Sequence, residues 1–117
     1  DHNSLTPHEE SIPERHKDKA GGVDVTVYLT AVDAPHLLGW NDDPANPESG
    51  EIFELAESGD RVILRLTSRN LTDPAVMAET AAAWHTHFGV LAAALEGRTP
   101  PPFWSTLERM HGEYIGR

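Results

Sequence analysis

The feature that most constrains this chain is a single stretch, from about Pro74 to Glu96, with the period of an amphipathic helix. Met77, Ala81, Trp84, Phe88, Leu91 and Leu95 recur at spacings of 4-3-4-3-4, which places them on one helical face. Thr72-Asp73-Pro74 marks the start: a capping oxygen, then proline in the first turn, where a missing N–H costs nothing. Gly97 marks the stop. An apolar face of this length must be covered by another element, so the chain upstream has to supply a surface for it.

That surface reads as an antiparallel sheet. From Val23, apolar Val23, Val25, Val27 and Leu29 alternate with Asp24, Thr26, Tyr28 and Thr30, a period of two. Asp33-Ala34-Pro35-His36 reads as a turn, because proline fixes φ and lacks a donor. Leu37, Leu38 and Trp40 form a second strand, and Asn41 to Gly50 a loop rich in proline and asparagine. Glu51 to Glu57 is a third strand with Phe53 and Leu55 on one face. Ser58-Gly59-Asp60 turns the chain. Arg61 to Ser68 is a fourth strand, with Val62, Leu64 and Leu66 pointing one way. After Pro100-Pro101-Pro102 breaks the chain, Phe103, Leu107, Met110 and Tyr114 share a face of a shorter helix, about Phe103 to Tyr114. Strands followed by helices signal an α+β fold. The expectation is a solvated polar tail over residues 1–22 and one domain over 23–117, in which the helix stripe buries against the sheet.

Composition narrows the chemistry. Nine Lys and Arg against 19 Asp and Glu leave a net charge of −10, which repels phosphate backbones and anionic lipid. Nucleic acid and membranes are therefore not expected partners. The chain has no cysteine, so disulfides and thiolate metal sites are excluded. No apolar run approaches the ~20 residues of a membrane span and no secretory segment is present, so the cytoplasm is the expected location. Asn70-Leu71-Thr72 matches a glycosylation sequon and is read as a chance match.

Few constellations point to catalysis. His2, His8 and His16 are irregularly spaced among charges. His85 and His87 flank Trp84, but residues two apart on a helix point about 200° apart and cannot share a metal. His87 lies about 60° from Trp84 and is the expected polar contact at a cavity rim. Asp42, Asp43 and Glu48 lack the spacing of a calcium loop and read as a solvated acidic cluster. Arg61, Arg65 and Arg69 share a strand face and are expected to pair with carboxylates of a neighbouring strand. No phosphate loop or nucleophile elbow is present, and no metal or cofactor is expected.

Leu71-Thr72-Asp73-Pro74, Trp84, Leu91, Leu95, Glu96-Gly97-Arg98, Pro101-Pro102-Phe103-Trp104 and Tyr114, taken together, resemble the C-terminal part of bacterial SRPBCC proteins. These are the START/Bet v 1-like helix-grip domains, and the similarity is to the branch named after the activator of Hsp90 ATPase. Val32-Asp33-Ala34-Pro35-His36-Leu37-Leu38, followed by Trp40, resembles that branch's turn between central strands. The pattern departs where Ala83 replaces a glycine before the helix tryptophan and where Thr67-Ser68 replaces Thr-His. The resemblance implies that the family's first strand and helices lie upstream of Asp1, and that an exposed sheet edge could pair two copies as a homodimer. It also implies a cavity between a curved sheet and the long helix. For that cavity the expected ligand-binding residues are Trp40, Phe53, Leu55, Leu64, Leu66, Trp84, His87, Phe88 and Leu91.

The leading reading is therefore binding of a small hydrophobic or aromatic molecule, without catalysis. Two alternatives are an interaction or co-chaperone-like module acting through an acidic surface, and a cyclase-like or hydrolase-like enzyme using the same cavity. A polar group in an otherwise apolar cavity favours the enzyme; an exposed apolar patch without a cavity favours the interaction module.

Overall fold

A computed structural model describes residues 5–9 and 11–116. It shows an α+β protein with a four-stranded antiparallel sheet, a long helix and a shorter one. The chain divides into two compact units: residues Asp24–Thr72, and the residues up to Val23 together with those from Asp73 on.

The first unit is a meander of four strands in the order β1-β2-β3-β4. They are β1 (Tyr28–Asp33), β2 (Leu37–Asn41), β3 (Gly50–Ser58) and β4 (Arg61–Arg69). The β1–β2 turn is closed by the His36 N–H donating to the Asp33 carbonyl, at 2.8 Å. A register shift at Thr30, between Leu29 and Ala31, marks a bulge in β1. Leu38, Phe53 and Leu66 stand side by side across three strands, and Leu55 faces Leu64. Because side chains alternate, Trp40, Phe53, Leu55, Leu64 and Leu66 all lie on one face of the sheet. Gly50 begins β3 at φ 97°, and a Cβ there would sit 1.9 Å from the Trp40 carbonyl oxygen; only glycine lets the two strands approach.

The strand expected from Val23 starts later. Residues 23–27 alternate as a strand should, yet none of them is in the sheet, and Val25 is 76% exposed. Alternation makes a strand competent to pair but does not provide a partner. Arg65 stands opposite Glu54 in register, but no ion pair joins the two, so the expected cross-strand pairing is not formed there. Arg69 instead reaches the long loop, donating to the carbonyls of Ser49 at 3.0 Å and Pro47 at 3.5 Å.

In the second unit α1 (Pro74–Leu95) packs with α2 (Phe103–Ile115). Asp73 caps α1, its carboxylate accepting from the Ala75 N–H at 2.9 Å. At the other end Gly97 adopts φ 69°. Arg98 N–H then donates to the Ala93 carbonyl and Gly97 N–H to that of Ala94, the paired bonds of a Schellman stop.

The buried face of α1 differs from the expected one. Ala78, Ala82, Thr86, Val90 and Ala93 are buried, whereas Met77, Leu91 and Leu95 are 47%, 41% and 79% exposed. The two stripes lie about 160° apart around the helix. Small residues let a neighbouring element approach closely, and Thr86 satisfies its buried hydroxyl by donating to the Ala82 carbonyl at 2.8 Å. On α2 the expected Phe103 and Met110 are buried, and so is Trp104. Val90, Phe103 and Trp104 form the core of the unit, with Ile12, Ala20 and Leu107 packed against it.

The residues before Val23 are not simply a solvated tail. Glu14–Lys19 form a short 3-10 helix whose His16 is buried, its ring stacked on Trp104 at 5.6 Å. Glu9 takes the place of a cap on α2: its carboxylate accepts from the backbone N–H of Trp104 at 2.6 Å and of Ser105 at 3.1 Å. Arg15 donates to Glu108 at 2.7 Å. The expectations for His2 lie outside the described residues.

Candidate functional site

Within the helical unit an open groove of about 430 Å³ runs between α1 and α2. Its lining is Ala81, Trp84, His85, Phe88 and Gly89 from α1 and Tyr114 from α2. The α1 residues follow from helical spacing: successive turns contribute Ala81, then Trp84 with His85, then Phe88 with Gly89, each set three to five residues beyond the last, and so they share a band along one side. That band lies at the border between the buried stripe and the large-residue stripe. Trp84 and Phe88 are half-buried, with ring centroids 6.0 Å apart, and Gly89 leaves the floor low: a Cβ there would meet nothing within 4 Å.

One polar pair interrupts the apolar wall. His85 Nδ1 lies 3.0 Å from the Tyr114 hydroxyl, and the two rings meet edge-on at 5.9 Å. A groove with large aromatic walls and few polar groups suits a neutral, flat ligand, and its volume falls in the range of small-molecule sites.

Of the expected ligand-binding residues, Trp84 and Phe88 line this groove. Leu91 does not. His87 is exposed and does not line it either; its ring is 5.0 Å from that of Phe103 and 5.7 Å from that of Trp84. The groove takes its imidazole from His85 instead, because α2 brings Tyr114 to that side of α1. Trp40, Phe53, Leu55, Leu64 and Leu66 belong to the sheet unit, where Trp40 and Phe53 make the close aromatic contact, at 4.8 Å. In the sequence Tyr114 belongs to an apolar helix face and to the family-like residue pattern, and neither gives it a place in a site.

Other clusters have structural explanations. Asp43 closes a local turn, accepting from the Ala45 N–H at 2.9 Å, and Asp42, Asp43 and Glu48 are exposed. Among the described residues no group of three or more His, Asp or Glu is placed to hold a metal ion, and no helix is long and apolar enough to cross a membrane.

No family model matches the chain, and no curated protein matches it. Among solved structures it is similar to a Bordetella parapertussis protein determined by solution NMR as a structural genomics target. The two share 34% sequence identity with a TM-score of 0.74, over 94% of this chain and 59% of that one. The present chain thus spans less than two thirds of its neighbour's length, and the two share the fold.

Proposed function

We propose that this protein is a START-like helix-grip relative that binds a small, neutral, hydrophobic or aromatic molecule in the groove between α1 and α2. The observation that carries the reading is the groove itself, whose walls are Trp84, Phe88 and Ala81 and whose floor is Gly89. The residue pattern shared with the START/Bet v 1-like proteins supports the ligand class, since apolar ligands are common among them, but their cavity lies between sheet and helix, so the place of the site rests on the groove alone.

The test uses Gly89. Replacing it by leucine puts a bulky side chain on the groove lining, from a position where the added Cβ meets nothing within 4 Å. The change should not weaken the helix, because glycine is a poor interior helix residue by ~1 kcal/mol. Naphthalene derivatives titrated by calorimetry should bind the wild type and lose affinity for Gly89→Leu, while the melting temperature stays level or rises. Binding that is identical in both proteins would remove the groove from consideration. The His85–Tyr114 pair favours a second reading, an enzyme acting on the same ligand, and chemical change of a bound aromatic during prolonged incubation would support it.

A further inference from the structure

The polar pair in the groove says more about the ligand than its apolar walls do. His85 and Tyr114 lie 3.0 Å apart through Nδ1 and the phenolic oxygen, so one proton lies between them. A phenol O–H is a better donor than an imidazole N–H, and an imidazole nitrogen is a better acceptor than a phenol oxygen. The favoured arrangement therefore has Tyr114 donating to Nδ1. In a neutral imidazole the other nitrogen must then carry the hydrogen. His85 Nε2 becomes a donor with a defined tautomer, on a residue that lines the groove.

We propose that Tyr114 holds His85 as an Nε2–H donor and that the groove consequently selects aromatic molecules bearing a carbonyl oxygen, the aryl ketone class, over the matching hydrocarbons. This rests on the aromatic-ligand reading above. The flat ring lies against Trp84 and Phe88, and the carbonyl oxygen accepts from Nε2. Tyr114 acts through His85 and is a positioning residue, since its hydroxyl decides which imidazole nitrogen faces a ligand as a donor. His85 and Tyr114 are presented by different helices, so the packing of α2 on α1 sets the selectivity. A ligand whose only polar atom is a carbonyl oxygen has no hydrogen to donate, so it pairs only with a donor such as Nε2–H.

The experiment compares 2-acetylnaphthalene with 2-ethylnaphthalene, of nearly the same shape but without the acceptor, by calorimetry on the whole chain. It also reads the His85 tautomer by side-chain ¹H–¹⁵N correlation in the ligand-free protein. The expected results are an Nε2–H tautomer and a ketone affinity about threefold to tenfold above that of the hydrocarbon, the worth of one net hydrogen bond. In Tyr114→Phe the tautomer signal should become mixed and the affinity ratio should fall to about one. In His85→Phe the ratio should also be about one. Equal affinities in the wild type, an Nδ1–H tautomer, or a ratio that survives either substitution would overturn the inference and leave the aromatic-ligand reading standing. Failure of both compounds to bind would overturn that reading and this inference together.

Discussion

His16 is buried against Trp104 and Glu108 of α2, and its neighbours decide how it titrates. Burial, and then the Arg15 cation, hold its imidazole below the usual range, outweighing the Glu108 carboxylate 3.1 Å from Nε2. Lys19 acts in the same direction as Arg15. The folded state thus prefers neutral His16, and the unfolded chain takes up a proton more readily. The stability this gives is present above about pH 6.5 and is lost as the pH falls through the lowered folded value. Glu108 adds to the trend at lower pH. The hydrogen bond from Arg15 is the main cause that holds its carboxyl below the usual carboxylate range, so its contribution is lost as the pH falls past that range. Urea unfolding followed by circular dichroism should show a midpoint that drops between about pH 7.5 and pH 5.5. His16→Phe, which keeps the stack on Trp104, should flatten the dependence over that window. A wild-type midpoint as flat as the variant's would refute the assignment.

At the scale of elements, α1 offers two faces, and substitutions tell them apart. Ala82 and Ala93 are completely buried. Ala82→Leu should cost ~1–3 kcal/mol by overpacking, while Leu95→Ala, on the exposed stripe, should stay within ~0.5 kcal/mol. Equal losses from the two in chemical denaturation would restore the large-residue stripe as the buried one. Glu9→Ala should cost ~1 kcal/mol, because α2 has no side-chain cap of its own and loses the carboxylate at its first turn. The limits of what the residues alone disclose are visible here. The ends of α1 are legible because Asp73, Pro74 and Gly97 act locally. The strand faces are legible because period two ties Phe53 to Leu55 and Leu64 to Leu66. The buried side of α1 is not, since apolar residues occur around the whole helix and the choice belongs to α2 and to Ile12 and Ala20. The docked segment around Glu14–Lys19 is not legible either, because its anchors are polar residues that look solvated until Trp104 and Glu108 are placed beside them. In the groove, Trp84 and Phe88 could be named from their spacing. The His85–Tyr114 bond joins residues 29 apart in the chain, and no local signal announces it.

For the molecule as a whole, charge and sheet edges decide whether two copies can pair. β4 carries Arg61, Arg65 and Arg69, a protected edge. β1, at the other end of the sheet order, exposes Tyr28, Leu29 and Val32 without a single Lys or Arg. Two copies pairing through β1 must overcome repulsion between net charges of −10, which salt screens. Sedimentation velocity should therefore show association that grows with salt and weakens in Val32→Lys; a sedimentation coefficient independent of salt would argue against the edge. The tie between Glu9 and Trp104 has a different consequence, for synthesis. Residues 24–72 are continuous and can close their hairpins as they leave the ribosome. The helical unit is discontinuous, and Glu9 waits for a partner 95 residues later, a delay of roughly 5–20 s at ordinary elongation rates. Until translation reaches α2, Glu9, Arg15 and His16 lack the partners they dock on, so a segment made before the sheet finds its place only after the sheet is complete.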